Sequence, residues 1–341
     1  MAIEKIGVSI WLTTNCNMNC TYCYEKDMKD KNDISLELID QIISFLIKIG
    51  KTRKVDEFSI AFHGGEPLIK YSWIVEFIER IKKEEFFQNK VVQYEMTTNT
   101  LLLNEDKIKF LSENIQKISV SLDGAKQSHD SMRIRKDGSG THDEVIRNSL
   151  KLLQVKPDIN ARMTVNTKNI YDFQENLDYV VGYGFQNIIP VIDIWDKAWE
   201  ESNALLIEQC NTYIRTYHER NEEFKGNIEQ LIPDNFNRLI CDGGTHSFNI
   251  SPMGDIYPCS FWVGDPKYWC GNVVQGLDKN ALQKIECVKN TEMSECKGCN
   301  NYDLCISSRC KFVNERYWGN AGKAIPIVCY MEHLKIKHVN N

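Results

Sequence analysis

The sequence predicts an α/β protein in which a partial barrel of six βα units is followed by a loop-rich, cysteine-rich C-terminal domain. Over residues 1–195, short β-rich runs alternate with amphipathic helical runs, which is the pattern of a parallel sheet. Polar segments with cysteine or glycine follow several of the β-rich runs, at the strand ends where barrel enzymes place their sites. Nine of the thirteen cysteines lie from Cys241 to Cys329, in a region where regular periodicity disappears.

The six strands are predicted at residues 6–12, 57–62, 91–97, 115–122, 159–166 and 185–192. The connecting helices are predicted at residues 35–49, 72–83, 105–111, 143–153 and 173–181. Apolar residues recur at helical spacing in the first of these helices, and Ser35 is its expected N-cap. One long helix is predicted at 198–220. The expected units are therefore a barrel at 1–195, a helical linker at 196–234 and a C-terminal domain at 235–341.

Composition excludes several classes of protein. The chain has 341 residues and a net charge of −6 with both signs well mixed, so nothing suggests a nucleic-acid or anionic-membrane partner. The first residues are too polar for a signal peptide, and no apolar run is long enough to cross a bilayer. We therefore expect a cytoplasmic protein. In a reducing compartment, clustered cysteines more often bind metal or do chemistry than form disulfides.

Three cysteines follow the first strand with the spacing C-x3-C-x2-C, namely Cys16, Cys20 and Cys23. They stand on a loop at the carboxyl end of a strand, where barrel enzymes build active sites. Three thiolates can ligate three irons of a 4Fe–4S cluster and leave the fourth iron open to a substrate or cofactor. The alternatives are a zinc site, for which no fourth ligand lies nearby in the sequence, and a chance triplet.

Further motifs end the next three strands. Gly65 and Glu66 lie in a His-Gly-Gly-Glu-Pro run, where paired glycines let backbone approach a ligand and an acid can pair with an ammonium. Asn99 ends strand three. Two interpretations of this asparagine are equal at this point: a contact to a bound ligand, or a residue that only orders the turn. Ser121, within Ser-Leu-Asp-Gly, ends strand four, and Arg133 follows it.

Together these motifs resemble those of the radical S-adenosylmethionine (SAM) enzymes, which implies a TIM-like radical SAM barrel. In that family the open iron binds the amino and carboxylate groups of SAM. The reduced cluster cleaves SAM to methionine and a 5′-deoxyadenosyl radical, which abstracts hydrogen from the substrate.

The resemblance also implies roles for individual residues. Tyr22 would pack beside the cluster and cofactor, and Gly65 with Glu66 would hold the methionine amino group. Further cofactor contacts are implied for Asn99, Ser121 (ribose), Arg133 (methionine carboxylate) and Gln186 (adenine). The glycine that the family usually has after the asparagine is absent here.

The C-terminal cysteines resemble the seven-cysteine SPASM domain, which holds two auxiliary 4Fe–4S clusters. The resemblance assigns one cluster to Cys296, Cys299, Cys305 and Cys329, and the other to Cys241, Cys259 and Cys310. The second cluster then lacks a fourth ligand, for which Cys270 is the nearest candidate and Cys287 a poorer one. A buried free thiol is a slightly better explanation of Cys270. A substrate thiolate could also occupy the fourth position of this cluster. Four residues separate Cys305 from Cys310 where the family has three. Taken alone, the four cysteines from Cys296 to Cys310 could also form a zinc site.

The resemblance implies a peptide or protein substrate. We expect a peptide maturase whose radical removes hydrogen from a carbon of a ribosomally made precursor peptide. A cysteine thiol of the same peptide then bonds to that carbon, and an auxiliary cluster accepts the second electron. The expected partners are this peptide and an electron donor such as flavodoxin or ferredoxin. Only about 15 residues precede Cys16, so we expect leader recognition to come from a separate leader-binding protein, to come from a sheet edge that accepts a peptide strand, or to be dispensed with.

Two other hypotheses remain at this point. One is an anaerobic sulfatase-maturating enzyme, which generates formylglycine. In that branch an aspartate acts as the base directly after the second SPASM cysteine, whereas this chain has Ser260 there, and a hydroxyl is a poor base. The other is an electron-transfer protein that carries several clusters, but such a protein needs no SAM-binding motifs.

Overall fold

The computed structural model describes residues 4–26, 32–231 and 241–339, with side chains up to Leu334. Within these residues eleven strands form one sheet. The strands are β1 Lys5–Trp11, β2 Glu57–His63, β3 Val91–Thr98, β4 Lys117–Ser121, β5 Asn160–Val165, β6 Asn187–Ile192, β7 Asn227–Ile228, β8 Ser247–Ile250, β9 Asp255–Tyr257, β10 Gly271–Asn272 and β11 Gly276–Leu277.

Helices lie between these strands and at the C-terminal end. They are α1 Glu37–Arg53, α2 Tyr71–Lys83, α3 Glu105–Asn114, α4 Lys126–Met132, α5 His142–Val155, α6 Phe173–Gly182, α7 Asn203–Arg215, α8 Tyr217–Arg220, α9 Lys279–Lys289, α10 Ile306–Arg309, α11 Lys311–Trp318 and α12 Pro326–Val339. In the part of the chain that the structure describes, none of these helices has the length and apolar character needed to cross a membrane.

The sheet runs in the order β11-β10-β9-β8-β1-β2-β3-β4-β5-β6-β7. From β8 to β7 every neighbouring pair is parallel, which confirms the predicted α/β fold with its six βα units. The strands β9, β10 and β11 continue the sheet antiparallel beyond β8. The carboxyl ends of β1 to β6 therefore lie side by side along one edge.

Burial of the apolar faces holds this layer together. Strand β1 buries Ile6, Val8 and Ile10 completely or nearly so, because alternate residues of a strand share a face. Helix α1 covers the sheet with a stripe at helical spacing that includes Ile39, Ile42, Ile43, Leu46 and Ile49.

Two predictions about helices are wrong. Helix α1 begins at Glu37, and its N-cap position is occupied by Leu36 without a side-chain cap. Ser35 lies one residue earlier, and its carbonyl accepts a hydrogen bond from the Trp73 indole at 3.0 Å. The long helix at 198–220 is also interrupted: Thr216 separates α7 from α8, and its hydroxyl bonds to the Thr212 carbonyl at 3.0 Å, a contact that competes with helix continuation.

The segment after residue 240 is more regular than predicted. Strand β8 pairs in parallel with β1, from Gly7 opposite Ser247 to Ile10 opposite Ile250. The sheet is thus continuous from the predicted barrel into the predicted C-terminal domain. The expected boundary at 234–235 lies outside the described residues.

Candidate active site

The sequence motifs meet at the carboxyl edge of the parallel strands. The cysteine loop follows β1, the glycine pair follows β2, Asn99 follows β3 and Ser121 ends β4. Because parallel strands end side by side, segments that are far apart in the chain become neighbours here. The hydrogen bonds and close approaches described next show how each motif is fixed.

The glycine pair lets the loop after β2 pack against the cysteine loop. A Cβ atom on Gly64 would lie 2.3 Å from the Thr13 carbonyl oxygen, and one on Gly65 would lie 2.3 Å from the Asn15 carbonyl oxygen. The Gly65 N–H donates to the Thr13 carbonyl at 2.9 Å, and the Glu66 N–H donates to the Asn15 carbonyl at 3.0 Å. In this structure the glycines therefore serve the approach of backbone to backbone.

Glu66 joins the loops after β2 and β3. Its buried carboxylate accepts hydrogen bonds from the Leu68 N–H (3.1 Å), the Thr98 hydroxyl (2.8 Å) and the Asn99 N–H (2.8 Å). Burial raises the pKa of Glu66 to about 6, while these hydrogen bonds oppose the rise. Oε1 accepts two of the bonds and Oε2 accepts one, so Oε2 keeps capacity for a further donor.

Asn99 touches the cysteine loop directly. Its side-chain amide donates to Asn17 Oδ1 at 2.8 Å and lies 3.7 Å from Cys16 Sγ, while its Oδ1 accepts from the Leu101 N–H at 3.1 Å. Thr100, at the position where the family usually has glycine, is fully buried with φ of 64°. The backbone conformation that suits glycine is thus kept although the residue is β-branched.

The three thiols of the loop lie close enough to interact electrostatically. Burial raises the pKa of Cys16 to about 12 and of Cys23 to about 11, and it also raises the pKa of Cys20. In the metal-free chain these thiols are therefore protonated at neutral pH, and binding of metal must release the protons. The Met18 N–H, 3.4 Å from Cys16 Sγ, is a donor to that sulfur.

A buried ionic group lies beside the cysteine loop. The Arg133 guanidinium makes a two-point pair with Asp123, through Nε to Oδ2 at 2.8 Å and Nη2 to Oδ1 at 3.0 Å. The Tyr22 hydroxyl donates to Asp123 Oδ2 at 2.6 Å, and the Thr164 N–H donates to Oδ1 at 2.8 Å. Asp123 was missed as a site residue, although it lies within the Ser-Leu-Asp-Gly run.

Arg133 and Cys20 interact electrostatically, and the Arg133 guanidinium lies 5.3 Å from the centre of the Tyr22 ring. Ser121 is half-buried at the carboxyl end of β4, opposite Arg162 of β5. Gln186 is different. It precedes β6, so it lies at the amino edge of the sheet, roughly 20 Å from the carboxyl edge across a six-residue strand. The predicted adenine contact through Gln186 is therefore wrong.

Two further groups of thiols form in the C-terminal part. Cys259 interacts electrostatically with Cys241 and Cys310. Cys329 interacts with Cys296 and Cys299, and Cys305 interacts with Cys329. These groups have the same members as the two cysteine sets of the sequence prediction. The four-residue spacer between Cys305 and Cys310 forms α10.

Three further cysteines are not members of either group. Cys270 is fully buried, its thiol donates to the Ile256 carbonyl at 3.2 Å, and burial raises its pKa to about 12. Cys210 is buried on α7, and Cys287 is exposed on α9. Within the described residues, no three His, Cys, Asp or Glu side chains are grouped closely enough to hold a single metal ion.

A cavity of about 1130 Å³ opens between the cysteine loop and the C-terminal part. The cavity is lined by residues 21–24, 195–197, 251–253 and 263–266, together with Asp193, Tyr257 and Phe261. The Phe261 ring lies 4.8 Å from the Tyr24 ring and 4.9 Å from the Trp195 ring, measured between centroids, so these three side chains form an aromatic wall.

Asp193 is an acid that lines this cavity and has a raised pKa. Asp193 follows β6 at the carboxyl edge, and its carboxylate accepts the Trp195 N–H at 3.0 Å. Partial burial raises the pKa of Asp193 to about 6. Its sequence context carries no motif, so the sequence offers no specific signal for it.

This chain is similar in sequence to proteins of known family. The Radical SAM superfamily model matches residues 11–185. A cysteine-type anaerobic sulfatase-maturating enzyme of Clostridium novyi (strain NT) is 27% identical over 324 residues, which cover 86% of this chain and 85% of the relative.

Two solved structures share the fold. Native anSMEcpe, with bound AdoMet and Kp18Cys peptide, aligns with a TM-score of 0.82 and 19% identity, over 99% of this chain and 97% of that one. Streptococcus suis SuiB bound to the precursor peptide SuiA aligns with a TM-score of 0.67 and 16% identity, over 96% of this chain and 76% of that one. The family model spans half of the sequence, including the cysteine loop, and the chain therefore belongs to the radical SAM superfamily of enzymes.

Proposed function

We propose that this enzyme matures a cysteine-containing, ribosomally made precursor peptide by installing a cross-link such as a thioether. The observation that carries the proposal is the cavity of about 1130 Å³. It reaches from Tyr22 and Cys23 on the cysteine loop to Phe261, two residues beyond Cys259. A cavity of this size is large enough for a cofactor and a peptide segment together.

Membership of the superfamily implies SAM and one 4Fe–4S cluster, which together supply a 5′-deoxyadenosyl radical when bound. The residues at the carboxyl edge fit these cofactors. Cys16, Cys20 and Cys23 offer three thiols that already interact, and the Met18 N–H and the Asn99 amide face the Cys16 sulfur. Hydrogen-bond donors of this kind stabilise thiolate ligands.

The SAM molecule would lie against the same loops. Oε2 of Glu66 has an acceptor position left for the methionine ammonium. Arg133, whose Nε and Nη2 are bound to Asp123, has Nη1 left for the methionine carboxylate. We propose Tyr22, Gly65, Asn99 and Ser121 as the remaining cofactor contacts and leave Gln186 out.

The two C-terminal groups of thiols are proposed as sites of auxiliary 4Fe–4S clusters in a SPASM-type domain, which gives three clusters in all. Cys296, Cys299, Cys305 and Cys329 form a complete set of four ligands. Cys241, Cys259 and Cys310 form a set of three, and the buried Cys270 thiol instead donates a hydrogen bond to the Ile256 carbonyl. The open position of that set is available to a substrate thiolate.

Formation of a thioether removes a hydrogen atom from carbon, a proton from the thiol and one electron. Bound SAM would supply the radical that accepts the hydrogen atom. Asp193 is our candidate for the proton acceptor, because it lines the cavity and its raised pKa of about 6 makes it a stronger base than an ordinary aspartate. The electron needs an acceptor, and the auxiliary sites are where this chain could hold one.

A second candidate function is the maturation of sulfatases by formylglycine formation. The identity of 27% to the Clostridium novyi relative, over most of both chains, favours it. Ser260 argues against it, since its hydroxyl is hydrogen-bonded to the Cys259 thiol and offers no carboxylate base. The electron-transfer alternative is not retained, because the chain belongs to an enzyme superfamily.

The test is to incubate the anaerobically reconstituted enzyme with SAM, dithionite and a short cysteine-containing precursor peptide. We expect a loss of about 2 mass units per cross-link, because two hydrogens leave, and loss of one free thiol per cross-link. A product that reacts with a hydrazine probe would instead establish an aldehyde and the second function. An unchanged peptide, in a reaction that forms 5′-deoxyadenosine, would reject this peptide as the substrate.

A further inference from the structure

Lys311 is a buried lysine without a hydrogen-bond partner. It is the first residue of α11 and directly follows Cys310. Only 2% of the residue is exposed, and its Nζ atom forms no hydrogen bond within the described residues. A buried ammonium that lacks an anion is strongly unfavourable, so such groups are nearly always paired in native proteins.

The surroundings of Lys311 identify what is missing. Its ammonium interacts electrostatically with the thiols of Cys296 and Cys305, and the Tyr302 ring lies 5.9 Å from Nζ. The Glu332 carboxylate also interacts electrostatically with two cysteines of this group, Cys305 and Cys329. The side chain is therefore placed toward a set of sulfur ligands.

Two polar side chains near Lys311 in the sequence also have a buried atom without a hydrogen-bond partner. Eight buried side-chain polar atoms lack a partner in the described residues, and three of them belong to Ser307, Lys311 and Asn314. All three residues lie on α10 and α11, the short helices that follow Cys305 and Cys310. Such a concentration of unsatisfied groups calls for a specific explanation.

We infer that Lys311 is the counter-charge of an iron–sulfur cluster held by Cys296, Cys299, Cys305 and Cys329. The inference rests on the cluster assignment in the proposed function and adds a positioning residue to it. A cluster with four thiolate ligands is an anion, and it becomes more negative when it accepts an electron. A buried ammonium at the sulfurs therefore stabilises the reduced cluster more than the oxidised one and raises its reduction potential.

The test compares Lys311→Met with a matched control, Lys297→Met. Lys297 lies on the same cysteine loop, between Cys296 and Cys299, but it is exposed to water. Both changes remove one positive charge, so only the buried position differs. The full-length proteins are reconstituted anaerobically, assayed for iron and sulfide, and titrated potentiometrically by electron paramagnetic resonance.

We expect metal-free Lys311→Met to melt at a higher temperature than the metal-free wild type, because an uncompensated buried charge is removed. After reconstitution, the midpoint potential of one cluster should become more negative, or the protein should lose about one third of its iron, one cluster of three. Lys297→Met should change neither quantity.

Full iron content with an unchanged midpoint potential in Lys311→Met would overturn the inference and leave the cluster assignment standing. An unchanged melting temperature of the metal-free variant would also contradict it. A wild-type protein that binds only about four irons would reject both the inference and the auxiliary clusters, so the two failures can be told apart.

Discussion

Replacement of Thr100 tests whether the loop beside Asn99 is held in a strained conformation. Thr100 is fully buried and has φ of 64°, in the left-handed region where a Cβ atom is unfavourable. Its hydroxyl lies 3.4 Å from the Val145 carbonyl, and its own carbonyl accepts a hydrogen bond from Asn148 at 3.0 Å. The left-handed conformation costs a residue with a side chain about 1–2 kcal/mol.

The comparison that isolates this cost is Thr100→Gly against Thr100→Ala. Both variants lose the hydroxyl and the buried methyl group, but only glycine removes the Cβ atom. Glycine gains about 1–2 kcal/mol by relief of strain and loses about 0.5–1 kcal/mol through the greater freedom of its unfolded chain. The glycine variant should therefore be more stable than the alanine variant by about 0.5–1 kcal/mol.

The assay is urea unfolding of the metal-free chain, with the two variants compared at each position. Ser149 is the matched control, because it is also fully buried but lies inside helix α5, where φ is negative. There the usual order should hold, with alanine ahead of glycine by about 0.5–1 kcal/mol. The same order at position 100 as at position 149 would refute the reasoning.

Three other changes test the site. Glu66→Gln should lower the stability of the chain by about 1–3 kcal/mol and weaken SAM binding in equilibrium dialysis, because an amide nitrogen cannot accept the hydrogen bonds that the carboxylate receives; unchanged SAM affinity would remove Glu66 from the cofactor site. Asp123→Asn should lower the free energy of unfolding by about 3–5 kcal/mol, since it leaves the buried Arg133 charge uncompensated, and a loss below about 1 kcal/mol would contradict this. For Asp193, the rate of cross-linking should rise with pH through about 6 and level off above it, as the carboxyl loses its proton; Asp193→Asn should stop cross-linking while 5′-deoxyadenosine is still formed, and a variant that cross-links normally would show that another group is the base.

The sequence predicts the parallel part of the fold well, because its strands and helices carry strong apolar periodicity. All six predicted strands of the barrel are present, with ends that differ by no more than a few residues. The strand Ser247–Ile250 was missed, since a run of four residues in a glycine- and cysteine-rich segment gives no such periodicity. Its pairing with β1 is a long-range contact that local patterns do not encode.

The site was predictable where function requires fixed spacing, as in the three thiols and the glycine pair. It was not predictable where the role of a residue depends on which end of a strand the residue occupies. The prediction for Gln186 was wrong for this reason, because Gln186 precedes β6. Asp123 and Lys311 were missed for a related reason. Their partners are distant in sequence or are a ligand, so only the folded chain reveals that Asp123 binds Arg133 and that Lys311 faces thiols.

The most direct test of this account is the cleavage of SAM by the reduced, reconstituted chain, with Cys20→Ser and Cys270→Ser as matched variants. Both changes replace one thiol by a hydroxyl, but only Cys20 belongs to the three-thiol loop. We predict that the wild type and Cys270→Ser form 5′-deoxyadenosine after reduction with dithionite and that Cys20→Ser forms none. Wild-type protein that binds iron and leaves SAM intact, or a Cys20→Ser variant that still cleaves it, would contradict the account.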